Sequence, residues 1–150
     1  MSYFTIKLKY NSTPIYLFFS IIFSIFSFEV ALAQNASPIQ MLPPNPLGAS
    51  FRGLQVVNDQ TIWVSGSKGV VGLSNNGGET WKWQQVPGFE KRDFRDIAAF
   101  DSVHAIIMAV AEPAVILKTS DGGRSWKTVF TDASPGMFLD AMHFRNPSTG

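Results

Sequence analysis

Apolar residues beyond position 33 come in short runs, each closed by glycine, asparagine, aspartate or proline, and no stretch sustains a 3.6-residue period. Thr61-Ile-Trp-Val-Ser65 and Ala105-Ile-Ile-Met-Ala-Val110 are rich in strand-forming residues. Val70-Val-Gly-Leu-Ser74 and Ala114-Val-Ile-Leu-Lys-Thr119 follow them, and after a glycine pair come Thr80-Trp-Lys-Trp-Gln84 and Ser125-Trp-Lys-Thr-Val-Phe130. A further strand near Leu54 or Ile97 completes four per unit. That first strand is the least regular, because Phe51, Leu54 and Val57, like Phe94, Ile97 and Phe100, are spaced by three rather than two. A turn at Phe51-Arg52-Gly53 feeding a short strand fits this spacing better.

The units repeat. Ser74-Asn-Asn-Gly-Gly-Glu-Thr-Trp81 and Thr119-Ser-Asp-Gly-Gly-Arg-Ser-Trp126 superimpose without a gap, with their tryptophans 45 positions apart. Phe51-Arg52-Gly53-Leu54 answers Phe94-Arg95-Asp96-Ile97, and Phe138-Leu139-Asp140-Ala141 opens a third unit. Four short strands in about 45 residues, repeated, predict an all-β fold: a β-propeller of four-stranded antiparallel blades. Blade one is expected over about 50–88, blade two over about 93–134, and the start of a third over 137–150. Complete propellers have ~4–8 blades, so the propeller is expected to be incomplete here, as if the reading frame were truncated. An unclosed blade leaves an apolar face and an unpaired edge, so residues 34–150 alone are expected to be aggregated or molten.

The eight-residue element resembles the Asp box, or bacterial neuraminidase repeat, Ser/Thr-x-Asp-x-Gly-x-Thr/Ser-Trp. The second copy fits throughout at Thr119, Asp121, Gly123, Ser125 and Trp126. The first fits at Ser74, Gly78, Thr80 and Trp81, with Asn76 in place of aspartate. An Asx oxygen accepts backbone amides in such a turn, and asparagine keeps that acceptor while losing the charge. Gly78 and Gly123 permit positive φ. Each tryptophan is expected to return into its blade and seal the apolar layer, so that Trp126→Ala costs about 3–5 kcal/mol in an intact propeller. A feature copied in every blade reads as architecture rather than catalysis.

The N-terminus is of another kind. Lys7 and Lys9, the apolar run from Ile15 to Phe28 and Ala31-Leu32-Ala33 have the order of a secretory signal peptide over 1–33. The run is short of the ~20 apolar residues that span a bilayer, so no membrane span is expected after cleavage, and the protein is expected in the periplasm or outside the cell. Residues 34–49, with Pro38, Pro43, Pro44 and Pro46, read as a proline-rich linker. The chain has no cysteine to form a disulfide or carry a lipid anchor. Beyond the leader, acidic and basic side chains balance, without the basic stripe a nucleic-acid partner requires.

Candidate chemistry is sparse. Arg52 and Arg95 recur at matching positions near the head of the first strand, where a propeller lines its channel, and are the candidate partner-binding residues. The alternative is that they form surface or inter-blade ion pairs with Asp93 or Asp96. His104 and His143 occupy different repeat positions, and no His/Asp/Glu cluster has metal-ligand spacing, so neither metal nor cofactor is expected. Glu90-Lys-Arg-Asp-Phe-Arg-Asp96 reads as a solvated loop between blades. A sialidase-like hydrolase needs a tyrosine nucleophile with an acid and an arginine cluster, but Tyr3, Tyr10 and Tyr16 all lie in the leader, and no catalytic residue is assigned.

From Ser50 to Gly150 the chain resembles exported Asp-box propellers of the photosystem II stability/assembly factor-like family. Trp63-Val-Ser-Gly66 and Thr119-Ser-Asp-Gly-Gly-Arg-Ser-Trp126 carry the resemblance. It implies a non-enzymatic scaffold that binds a protein or assembly intermediate with its arginine-bearing face. A sialidase-like glycoside hydrolase and a glycan-binding propeller are the alternatives, so the partner is a protein or a glycan.

Overall fold

In the computed structural model, which describes residues 44–150, the short apolar runs become eight strands. They are β1 (Phe51–Val56), β2 (Ile62–Gly66), β3 (Val70–Ser74), β4 (Lys82–Gln85), β5 (Phe94–Ala99), β6 (Ala105–Ala109), β7 (Ala114–Thr119) and β8 (Lys127–Asp132). Each consecutive four form one antiparallel meander, in the orders β1-β2-β3-β4 and β5-β6-β7-β8. These sheets are two propeller blades. The signal peptide read over 1–33 and most of the linker lie outside the described residues. Among the described residues, no helix is long and apolar enough to cross a membrane.

The first strand of each blade differs from the expected turn. β1 pairs with β2 from its first residue, but the register shifts between Phe51 and Gly53, and β5 shifts in the same way between Phe94 and Asp96. One extra residue, Arg52 or Arg95, sits in each β-bulge. A bulge breaks the two-residue alternation that identifies a strand, which is why the apolar positions there are spaced by three.

The fourth strands begin later than their sequences suggest, at Lys82 and Lys127. Thr80 and Ser125 belong to the preceding turns, because their backbone N–H groups donate to Asn76 Oδ1 and Asp121 Oδ1 at 2.9 and 3.0 Å instead of to a ladder. Residues 137–144 form no ladder. The chain after them folds into a tight turn with an Asn146–Thr149 bridge, so they lie beside blade two without a hairpin partner. Met142 N–H donates to Asp96 Oδ2 at 2.9 Å, and Phe144 meets Phe100 edge-on.

The core lies between the blades. Alternation sends Trp63, Val71 and Leu73 of blade one towards Ile97, Ala99, Ala105, Ile107, Ala109, Val115 and Leu117 of blade two, and all are buried in one cluster. Trp63 is completely buried; its Nε1–H donates to Asp101 O at 2.9 Å, and its ring meets Trp126 edge-on. Gly53 allows the two first strands to approach, since a Cβ there would stand 2.8 Å from Ile97 N and 2.5 Å from Ser65 Oγ. The Asp-box indoles are less enclosed than expected. Trp81 and Trp126 are half-buried at the blade margin, and the sealing indole is Trp63.

Candidate functional site

Antiparallel order places the two recurrent features at opposite ends of each blade. Arg52 and Arg95 stand at the start of β1 and β5, whereas the Asp boxes connect the end of β3 to β4 and of β7 to β8.

The two Asp-box turns use nearly identical hydrogen bonds. Thr119 Oγ1 donates to Asp121 Oδ1 at 2.8 Å and accepts Gly123 N–H at 3.0 Å. Ser74 Oγ likewise donates to Asn76 Oδ1 at 3.0 Å and accepts Gly78 N–H at 2.8 Å. The copies differ in the polarity of one bond. Ser125 Oγ donates to Asp121 Oδ2 at 2.6 Å, whereas Asn76 Nδ2 donates to Thr80 Oγ1 at 3.0 Å. A hydroxyl can do either, so the turn tolerates both Asx residues. The Ser125 hydroxyl, the Ser125 amide and the Thr119 hydroxyl lower the Asp121 pKa to about 2. Gly78 and Gly123 hold φ of 93° and 82°. Trp81 Nε1–H closes its turn by donating to Gly78 O at 2.9 Å. The Gly77 and Gly122 amides donate outside their turns, to Gln60 O and Val103 O, and Trp126 Nε1–H, unlike that of Trp81, is buried without a partner.

The arginine end is arranged differently. Arg52 Nε donates to Asp93 Oδ2 at 3.3 Å, joining blade one to blade two. Arg95 Nε pairs with Asp140 Oδ1, and its guanidinium carbon lies 5.7 Å from the centre of the Phe138 ring. The ion-pair alternative therefore holds for both side chains, with Asp93 and Asp140 as partners rather than Asp96. Asp96 instead accepts the Ile97 and Met142 amides. Both pairs remain open to solvent, the arginine side chains being 45% and 43% exposed. Arg52, Arg95, Asp96, Asp140 and Ala141 line one open cleft of about 470 Å³.

Arg92 is a residue whose role the sequence hides. It sits in the charged run read as a solvated loop, yet it is half-buried, and its guanidinium donates to the carbonyls of Val110, Ala111, Glu112 and Pro113. It thereby ties the entry of β5 to the β6–β7 turn. No signal in one sequence distinguishes it from Lys91 beside it. His104 Nδ1 lies 2.8 Å from Asp101 Oδ2 within the β5–β6 turn. Among the described residues, no group of three His, Asp or Glu side chains could hold a metal ion.

No curated protein matches the chain. A solved structure of YCF48 bound to D1 peptide is 24% identical, with a TM-score of 0.49, over 65% of this chain and 34% of that one. YCF48 from Cyanidioschyzon merolae is also 24% identical, with a TM-score of 0.47, over 62% of this chain and 30% of that one. The chain thus spans about a third of the length of these structures. The family model described as photosynthesis system II assembly factor YCF48 matches residues 39–139, more than half of the chain and both blades. With this repeat, these two four-stranded sheets and that match, the chain belongs to the photosynthesis system II assembly factor YCF48 family.

Proposed function

We propose that the protein is an exported, non-enzymatic binding scaffold whose arginine end takes a carboxylate-bearing segment of a protein partner. The observation that carries this reading is the pair of bulge arginines, half-exposed and one blade apart on a single open cleft. A bulge re-aims a side chain out of the sheet, and the same bulge at the same place in both blades points two guanidiniums towards one end. Asp93 and Asp140 engage the Nε edges, which restrains each arginine and leaves its Nη edge for a second acceptor. Family membership supports an assembly role over glycoside hydrolysis, and the signal-like leader supports a periplasmic or extracellular setting.

The test is titration of the full chain with a labelled peptide ending in a free, acidic C-terminus, against its amidated, neutral counterpart, read by fluorescence anisotropy. Arg52→Ala and Arg95→Ala are each expected to weaken binding by about tenfold or more, and raised salt to weaken it further. Equal affinity for the two peptides, or binding untouched by the double substitution, would overturn the reading.

A further inference from the structure

Asn76-Gly77, at the tip of the first Asp box, is the chain's one Asn-Gly pair. Such a pair carries its own chemistry. A glycine amide has no side chain to crowd it, and once it gives its proton to base its nitrogen can attack the carboxamide carbon beside it. The bond from the glycine nitrogen to Cγ forms, the Cγ–Nδ2 bond breaks, ammonia leaves with the proton, and a five-membered succinimide remains. Water then opens the ring. Cleavage at Cγ leaves aspartate, and cleavage at the main-chain carbonyl leaves isoaspartate, whose backbone runs through Cβ and Cγ. Nothing is oxidised or reduced, and the one co-reactant is water, which reaches the turn because Gly77 is exposed.

The folded turn holds both reacting groups elsewhere. Gly77 N–H donates to Gln60 O of the β1–β2 turn at 2.9 Å. The Asn76 carboxamide is gripped at both ends: Oδ1 accepts the Ser74 hydroxyl at 3.0 Å and the Thr80 amide at 2.9 Å, and Nδ2 donates to Thr80 Oγ1 at 3.0 Å. An amide hydrogen already shared with a carbonyl is given up to base less readily. A carboxamide fixed through its oxygen and its nitrogen must release both before its carbon can swing onto the neighbouring backbone nitrogen. Ring closure therefore requires the β3–β4 hairpin to come away from the β1–β2 turn. The same tie recurs in blade two, where Gly122 N–H donates to Val103 O at 3.1 Å and the residue before it is already Asp121.

We propose that Asn76 is a deamidation site held shut by its own turn: it stays an amide while the first hairpin is folded and converts when that hairpin opens. The two products have different fates. Aspartate puts a second carboxylate oxygen where Nδ2 stands, and the Thr80 hydroxyl turns to donate to it, as Ser125 Oγ donates to Asp121 Oδ2 at 2.6 Å. The turn then closes as a consensus Asp box. Isoaspartate lengthens the main chain by one atom and carries its free carboxylate directly on Cα, one carbon short of the Thr80 amide that Asn76 Oδ1 now accepts. That turn does not re-form. Opening of the hairpin thus leaves a lasting chemical mark on the chain, and the bond to Gln60 O is what withholds it.

Peptide mapping by mass spectrometry of the full chain, incubated in mildly alkaline buffer, tests this. Conversion at Asn76 is expected to be at least about 30-fold slower in buffer alone than in the same buffer with denaturing guanidinium chloride. Thr80→Val removes the acceptor of Nδ2 while keeping the Thr80 amide, and Ser74→Ala removes the hydroxyl that Oδ1 accepts. Each is expected to raise the rate in buffer by about threefold to tenfold and to leave the rate in denaturant unchanged, with circular dichroism showing that the sheets remain. Equal rates with and without denaturant overturn the proposal. So do rates in buffer that neither substitution changes, which is the result if the carboxamide bonds set no barrier.

Discussion

Replacing Trp63 by alanine tests the inter-blade core most directly. Its indole is fully buried between the sheets, touches Trp126 edge-on, and donates to the Asp101 carbonyl at 2.9 Å. An aromatic side chain of this size removes ~150–250 Å² from water, worth roughly 4–6 kcal/mol at ~25 cal/mol/Å² as an upper bound. Measured aromatic truncations cost ~3–5 kcal/mol. The Asp101 carbonyl lies in a surface turn, where water can replace the lost donor, so that term adds little. About 4 kcal/mol is therefore expected, a large fraction of the ~5–15 kcal/mol available to a domain. The melting temperature should fall by roughly 15–30 °C. Trp81→Ala is the internal control: that indole lies half-buried on the open face of blade one and should cost about 1 kcal/mol. Urea denaturation at one fixed protein concentration, followed by far-ultraviolet circular dichroism, compares the two. If Trp81→Ala costs as much as Trp63→Ala, the core does not lie between the blades.

The remaining expectations concern turns and close approaches. Asp121 has a folded pKa of about 2 against an ordinary 3.8, so its contribution is complete above pH 3.8 and is lost as pH falls towards 2; Asp121→Asn should flatten the acid limb of the stability profile in that window, as measured by thermal melts from pH 2 to 6. Asn76→Asp should change the denaturation midpoint by less than about 0.5 kcal/mol at neutral pH, because the Thr80 hydroxyl can donate where it now accepts. Gly53→Ala forces a methyl group against Ile97 N and Ser65 Oγ and should destabilise by about 1–3 kcal/mol in the same urea assay. Arg92→Ala removes the donor that gathers the carbonyls of Val110 to Pro113, and limited proteolysis should find new cleavage in that turn at neutral pH.

Sequence reading reached the blade pattern because its markers are local. A glycine pair with positive φ, an Asx oxygen accepting amides and a tryptophan at fixed spacing are each specified within eight residues. What escaped depends on contacts between distant residues. The bulges at Arg52 and Arg95 disguise two well-formed strands as turns, since the extra residue breaks alternation without breaking pairing. Trp63 looks like the other three tryptophans until the neighbouring sheet shows which face of β2 is covered. Arg92 looks like Lys91 until the β6–β7 turn folds over it. The arginine pair was visible as a repeat, and Asp93 as a partner for it, but Asp140 was not, because it lies 45 residues from Arg95.

Separating the arginine bulges from the Asp-box turns by the length of a strand has an evolutionary consequence. The hairpin that closes each sheet takes its side-chain hydrogen bonds from its own residues, so drift at the opposite rim leaves its geometry alone. A lineage can therefore recolour the rim, swapping arginine for acid or aromatic one repeat at a time, while inheriting an unchanged folding code.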